Sequence, residues 1–213
     1  MSAPAIKICG IDRAAALDAA IAARADHAGF VFFAPSPRNL ALADAAALGR
    51  RASGRIGRVG LFVEPADDLV AEAIAAASLD AIQLHGDETP ERAAALKTRF
   101  GLPVWKAVPV TRREDVAGAD RFAGAADLIL FDARTPRGAA LPGGMGLVFD
   151  WTLLSGWRGQ MPWGLAGGLS PANVAEARAI TRAPLVDVSS GVESAPGVKD
   201  TRLIAAFCSA ARG

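Results

Sequence analysis

Groups able to move protons or hold anions recur just after apolar, strand-like runs of this chain. The first run is Ile6-Lys7-Ile8-Cys9-Gly10. Strand alternation puts Lys7 and Cys9 on one face and the two isoleucines on the other. A free cysteine ordinarily packs as a small hydrophobe, but packing does not explain a lysine on the same face. Arg38 follows Ser36-Pro37 in a stiff loop, where a guanidinium can clamp a carboxylate or phosphate through two parallel hydrogen bonds. His85 and Asp132 end two further apolar runs. Gly167-Gly168 lets backbone approach an anion closely, and Ser189-Ser190-Gly191 offers amides and hydroxyls at an expected helix N-terminus. No His/Cys/Asp cluster has metal-ligand spacing, so no metal is expected.

The elements that must position these groups alternate. Strands are predicted at 6–10, 29–33, 58–63, 80–85, 103–108, 127–132, 163–166 and 185–188. Helical patterns follow at 12–25, 41–51, 65–77, 89–100, 112–122 and 170–181, with a short helix after Asp150 and a last one over 201–211. Asp12 is the expected cap of the first helix. Thr89 with Pro90 is the expected start of the fourth, without a capping box because Arg92 stands at the third position. Eight strand-then-helix units in 213 residues predict an α/β fold, a compact single-domain (β/α)8 TIM barrel over residues 1–213. A doubly wound open sheet fits less well, since no GxGxxG turn follows the first strand. In a (β/α)8 barrel the active site lies at the C-terminal ends of the strands, and the loops after strands seven and eight often bind phosphate. Cys9, Arg38, His85, Asp132, Gly167-Gly168 and Ser189-Ser190-Gly191 all fall at that end. That clustering gives Cys9 a functional role.

Composition narrows the partners. Lys+Arg 23 against Asp+Glu 22 leaves a net charge of +1, which is no footprint for nucleic acid and no polybasic arm for a membrane. The apolar runs are interrupted well short of the roughly 18 residues a membrane span requires. Two cysteines, Cys9 and Cys208, and no signal-peptide pattern at Met1-Ser2-Ala3-Pro4 point to a reduced, cytoplasmic setting. Cys208 is expected to be a packing residue.

Taken together, KICG at 7–10, Ser36-Pro37-Arg38, QLHG at 83–86, Phe131-Asp132, Phe149-Asp150-Trp151, Ala166 to Pro171 with Asn173-Val174, and DVSSGVE at 187–193 resemble the phosphoribosylanthranilate isomerase family of tryptophan biosynthesis. The segments fall in order along nearly the whole chain. The resemblance implies an Amadori rearrangement of N-(5-phosphoribosyl)anthranilate to 1-(2-carboxyphenylamino)-1-deoxyribulose 5-phosphate, with no cofactor. It assigns the general base to Cys9 and the general acid to Asp132. It gives the anthranilate carboxylate to Arg38 and the phosphate to amides around Gly144, Gly168 and Ser190; His85, by its place at a strand end alone, is expected only to line the site. Met145 stands where the family usually has threonine, so a hydroxyl contact is lost there while backbone amides remain.

Elementary chemistry supports the split. A thiol near its reference pKa of about 8.5 is mostly protonated at neutral pH, so Cys9 needs help to act as a base. Lys7 is the candidate helper. Strands one and eight are neighbours in a closed barrel, so Asp187 is expected to pair with Lys7, which would blunt that help. Asp132, with a reference pKa of about 3.9, must be kept protonated to donate. A phosphorylated small molecule is the expected partner, and a monomer is expected over a homodimer. The rivals are the aminoaldose-phosphate isomerase of histidine biosynthesis, whose family places aspartate at both catalytic strands, and a catalytically silent barrel, which would be free to lose Cys9 or Asp132.

Overall fold

The computed structural model describes residues 3–135, 144, 146–159 and 161–213. Eight parallel strands close in sequence order, with the last pairing back to the first. They are β1 (Ala5–Cys9), β2 (His27–Phe32), β3 (Gly57–Phe62), β4 (Ala81–Leu84), β5 (Val104–Val110), β6 (Leu128–Ala133), β7 (Trp163–Leu165) and β8 (Leu185–Val188). The helices are α1 (Ala14–Ala22), α2 (Leu42–Ala52), α3 (Asp67–Ala77), α4 (Pro90–Phe100), α5 (Arg113–Ala117), α6 (Val174–Thr181) and α7 (Thr201–Arg212). The expected (β/α)8 barrel is the observed fold. Its strands read as near-continuous apolar runs because both faces are covered, by helices outside and by side chains within.

The outer core lies between sheet and helices, where Ile6, Ile8, Phe30, Phe62, Ile82 and Phe131 are all fully buried. Helix α7 shows how that layer is built. Asp200 caps it by accepting from the backbone amides of Arg202 at 2.8 Å and Leu203 at 3.4 Å, and Ile204, Phe207, Cys208 and Ala211 make its buried stripe. Cys208 is therefore a packing residue, and burial pushes its thiol up to about 11. Thr89 caps α4 as expected, accepting from Arg92 N at 3.3 Å, and Gly101 closes that helix in the left-handed conformation.

Four local expectations are corrected. Asp12 does not cap α1; the helix starts after Arg13 with no side-chain cap, and Asp12 instead binds the Arg13 guanidinium at 2.9 and 2.8 Å. The 112–122 helix breaks into a 3-10 turn at Gly118. Helix α6 begins at Val174, not Ser170, because Asn173 Oδ1 takes the Ser170 amide at 2.8 Å and its Nδ2 donates to Gly168 O at 3.0 Å, a side-chain turn that competes with helix. Ser189-Ser190-Gly191 opens only a three-residue 3-10 turn, Ser190–Val192. A small antiparallel hairpin, β9 (Glu193–Ala195) and β10 (Val198–Lys199), follows that turn and was not foreseen.

Inside the barrel the side chains form layers. Val59, Ala81, Trp105, Ala107, Leu130 and Leu185 pack together, and Cys9, Val31 and Leu61 form a second cluster. Lys7 and Asp187 are partners in the β1–β8 register, and Lys7 Nζ donates to Asp187 Oδ2 at 2.8 Å. The expected ion pair is thus present, with Lys7 0 % and Asp187 7 % exposed. Such a pair is dangerous to break from one side, since the remaining charge is buried alone. Lys7→Met should destabilise the barrel by about 3–5 kcal/mol, and Lys7→Met with Asp187→Leu should recover most of that loss. Urea midpoints at neutral pH would check it. Equal midpoints for wild type and Lys7→Met would show that the pair does not matter to stability.

Candidate active site

A cavity opens at the C-terminal ends of the strands. Going round the ring, Asp132 comes from β6, Gly167 and Gly168 follow β7, Ser189 and Ser190 follow β8, Cys9 ends β1, Arg38 follows β2, and His85 follows β4. Asp187 and Gly144 complete the expected residues that line it. Two expected residues do not. Lys7 lies beneath the cavity in the barrel interior, and Gly191 packs on the Leu169 carbonyl, which a Cβ would meet at 1.9 Å. Gly143 and Met145 lie outside the described residues, so the missing threonine hydroxyl has no structural counterpart to describe.

The backbone around the thiol is tightly fitted. A Cβ on Gly29 would stand 3.0 Å from Cys9 Sγ and 3.1 Å from Lys7 Cε, so any larger residue on β2 would press both inward side chains of β1 aside by a few tenths of an ångström. Burial pushes the Cys9 thiol above its ordinary value. Lys7 pulls it down, Asp187 pushes it up, and Lys199 pulls it down again without reversing the balance. Burial would also lower Lys7, but Asp187 and Cys9 together hold it above the usual lysine range. The competition foreseen between Lys7 and Asp187 is therefore built in.

On the opposite wall, Asp132 Oδ2 lies 3.0 Å from His85 Nε2, and its Oδ1 accepts from Ala133 N at 2.8 Å. The Gln83 amide nitrogen faces His85 Nδ1 at 3.2 Å. With the amide nitrogen turned to it, Nδ1 accepts and Nε2 donates to Asp132; with the amide turned over, Oε1 takes the Nδ1 proton and Nε2 accepts from a protonated Asp132. Gly167 shapes this corner. At φ +84 it takes a conformation other residues avoid, and a Cβ there would stand 2.8 Å from Asp132 Oδ1.

Arg38 is not a free clamp. Its Nε and Nη2 each donate at 2.8 Å to the two oxygens of Glu193, and Nη2 also reaches Gly144 O at 3.1 Å. Glu193 closes the DVSSGVE motif, which by itself assigns it no role. Burial alone would raise its carboxyl; the Arg38 hydrogen bonds and the Lys199 charge hold it below the usual range. Lys199 was also missed. A second buried pair went unread as well: Lys106 Nζ donates to Glu88 Oε2 at 3.1 Å and to Gly86 O at 2.6 Å, while Glu88 accepts from the amides of Glu64 and Gly86. This pair anchors the loop that carries His85. Carboxylates and lysines at loop ends are ordinary in sequence, and only spacing across the fold reveals such pairs. Among the described residues, no three His, Cys, Asp or Glu side chains are placed to hold a metal ion, and no helix is long and apolar enough to cross a membrane.

The C-terminal rim is where barrels of this kind do their chemistry, and this rim offers groups that transfer protons beside turns that suit an anion. By fold and site the chain is a (β/α)8-barrel enzyme. Comparison with known proteins gives the family. The family model described as N-(5'phosphoribosyl)anthranilate (PRA) isomerase matches residues 6–210. N-(5'-phosphoribosyl)anthranilate isomerase of Paramagnetospirillum magneticum is 51% identical over 208 residues, covering 98% of this chain and 97% of that protein. The crystal structure of phosphoribosyl anthranilate isomerase from Thermotoga maritima is 34% identical with a TM-score of 0.88, covering 99% of each chain. A second solved structure of this isomerase, in complex with reduced 1-(o-carboxyphenylamino)-1-deoxyribulose 5-phosphate, is 33% identical with a TM-score of 0.85 over 99% of both chains. The chain belongs to the N-(5'-phosphoribosyl)anthranilate isomerase family. It is an isomerase of tryptophan biosynthesis that catalyses an Amadori-type rearrangement.

Proposed function

We propose that Cys9 and Asp132 carry this rearrangement as general base and general acid. Asp132 protonates the furanose oxygen and the ring opens to a Schiff base. The Cys9 thiolate then takes the C2 proton, and the enolamine formed tautomerises to the ketone. The observation that carries the reading is placement. β1 and β6 are separated round the closed ring by β8 and β7, so thiol and carboxyl approach a bound sugar from different walls. The turns after β7 and β8 lie between them, and the phosphate belongs there, on backbone around Gly168 and Ser190, with Gly167, Ser189 and Gly191 shaping those turns and Gly144 reaching the cavity from the connection after β6. His85 orients Asp132 through Nε2, and Lys7 with Asp187 supports the floor under Cys9.

Arg38 receives the anthranilate carboxylate through Nη1, because Glu193 has taken the other edge of the guanidinium. The Arg38 edge bound by Glu193 is fixed before substrate arrives, which lowers the entropy lost on binding. All of these groups come from a single barrel, so a monomer suffices for turnover. A thiol that must stay reduced to act suits the cytoplasm.

The test is loss of anthranilate fluorescence with phosphoribosylanthranilate generated in situ. Wild type should turn over. A folded wild type with no turnover would sink the reading and point to the histidine-pathway substrate or a silent barrel. Arg38→Met should raise KM by roughly 10- to 100-fold, in keeping with loss of a charge-assisted hydrogen bond, with a smaller effect on kcat. An unchanged KM would remove Arg38 from carboxylate binding.

A further inference from the structure

The roles given so far leave one buried cation unused. Lys199, on β10, has a side chain 0 % exposed. Its Nζ donates to Ser189 O at 3.0 Å, to Ser189 Oγ at 3.2 Å and to Glu193 Oε1 at 2.5 Å. It lies 3.3 Å from where a Cβ on Gly10 would stand, one residue past Cys9. A buried ammonium is unfavourable unless paired, and here the partner is shared. Glu193 also takes Nε and Nη2 of Arg38, so two cations divide one carboxylate and one positive charge is left over. Lys7 and Asp187 form a one-to-one pair and leave none. The uncompensated charge on this side of the cavity belongs to the Arg38–Glu193–Lys199 group.

We propose that Lys199 is a positioning residue for the general base: held beside Gly10 by Glu193 and Ser189, its ammonium supplies the positive charge that stabilises the Cys9 thiolate. This rests on the reading of Cys9 as the base. The charged groups bearing on the thiol are Lys7 from β1, Asp187 from β8 and Lys199 from β10, while Arg38, His85 and Asp132 share the cavity. Lys7 bears on the thiol more strongly than Lys199 but is opposed by Asp187, its one-to-one partner, whereas Lys199 belongs to the group that keeps the leftover positive charge. Burial lowers Lys199 itself and Glu193 opposes that, so Glu193 keeps the ammonium charged. Because Nζ also bonds both oxygens of Ser189, the residue that supports the base touches the turn given to phosphate.

The experiment is the pH dependence of iodoacetamide alkylation of the unliganded enzyme, with Cys9 and Cys208 followed separately by peptide mass spectrometry. It is run on wild type, Lys199→Met, Lys199→Gln and Lys199→Arg alongside kinetic pH profiles. Removal of Lys199 leaves Glu193 neutralised by Arg38, so the barrel should fold. Should the methionine variant fail to fold, the glutamine variant, which keeps a donor for Ser189, carries the test. The expected result is a Cys9 midpoint displaced to higher pH in the Met and Gln variants. Alkylation and kcat near neutrality should fall on the order of tenfold, the effect of one unit in pKa, with KM little changed and activity returning as pH rises. Lys199→Arg should stay near wild type. An unmoved midpoint with a raised KM would overturn the proposal and make Lys199 a strut for the Ser189 turn. Equal losses in the Arg and Met variants would overturn it too. A displaced midpoint together with full activity in Cys9→Ala would remove Cys9 as the base while leaving the charge effect on its thiol in place.

Discussion

Replacing Cys9 with alanine should leave a folded barrel whose kcat/KM is lower by roughly 10²–10⁴-fold, the range general-base catalysis supplies. Removing the thiol empties little volume. Cys9 sits in a small cluster with Val31 and Leu61, with Phe33 and Val63 packed against it, so the stability change should stay below about 2 kcal/mol. The pH profile is the sharper readout. A base works in its deprotonated form, and burial pushes the Cys9 thiol above its ordinary value. Wild-type kcat/KM should therefore climb with pH through neutrality as the thiolate fraction grows, and that limb should vanish in Cys9→Ala. A variant with full activity and an intact limb would make another group the base, and His85, on the same cavity wall as Asp132, would be the next to test.

The strand ends were legible because parallel strands covered on both faces read as unbroken apolar runs, and each polar group placed right after one had to fall on the same rim. That is how Cys9, His85 and Asp132 came to one cavity from segments far apart in sequence. The Lys7–Asp187 pair was legible for a related reason: closing the ring makes β1 and β8 neighbours, and the inward positions of neighbouring strands meet. Helix starts were read less well. Asp12 and Ser170 carry cap chemistry, but the Arg13 guanidinium and the Asn173 side chain compete for the same local groups. What sequence could not expose is the charge arrangement above the rim. Arg38 looks like a free clamp until Glu193 is found on its Nε, and Glu193 looks like an ordinary hairpin carboxylate until Lys199 is found on its Oε1. Those contacts depend on the β9–β10 hairpin folding back against Arg38 and the Ser189 turn, a long-range event with no periodic signal.

Asp132→Asn should lower kcat by roughly 10²–10⁴-fold with KM nearly unchanged, since Arg38 and the turns given to phosphate are untouched. The substitution keeps the shape and the Ala133 contact, but it removes the ionisable proton. It also sets an amide NH2 against the His85 Nε2 proton, and the corner must adjust. The imidazole can move its proton to Nδ1 only if the Gln83 amide turns over, bringing Oε1 to face it; that oxygen has no hydrogen-bond partner among the described residues. The chain Gln83–His85–Asp132 therefore has a second arrangement available, and the variant should stay folded. Combining the two lesions separates their steps. If the acid opens the ring and the base acts afterwards, removal of Cys9 makes the second step limiting, and adding Asp132→Asn should cost much less than it does alone. Fully additive losses would place both groups in one transition state and overturn the stepwise order. Wild-type activity in Asp132→Asn would pass the acid's role to His85, whose Nε2 faces that corner.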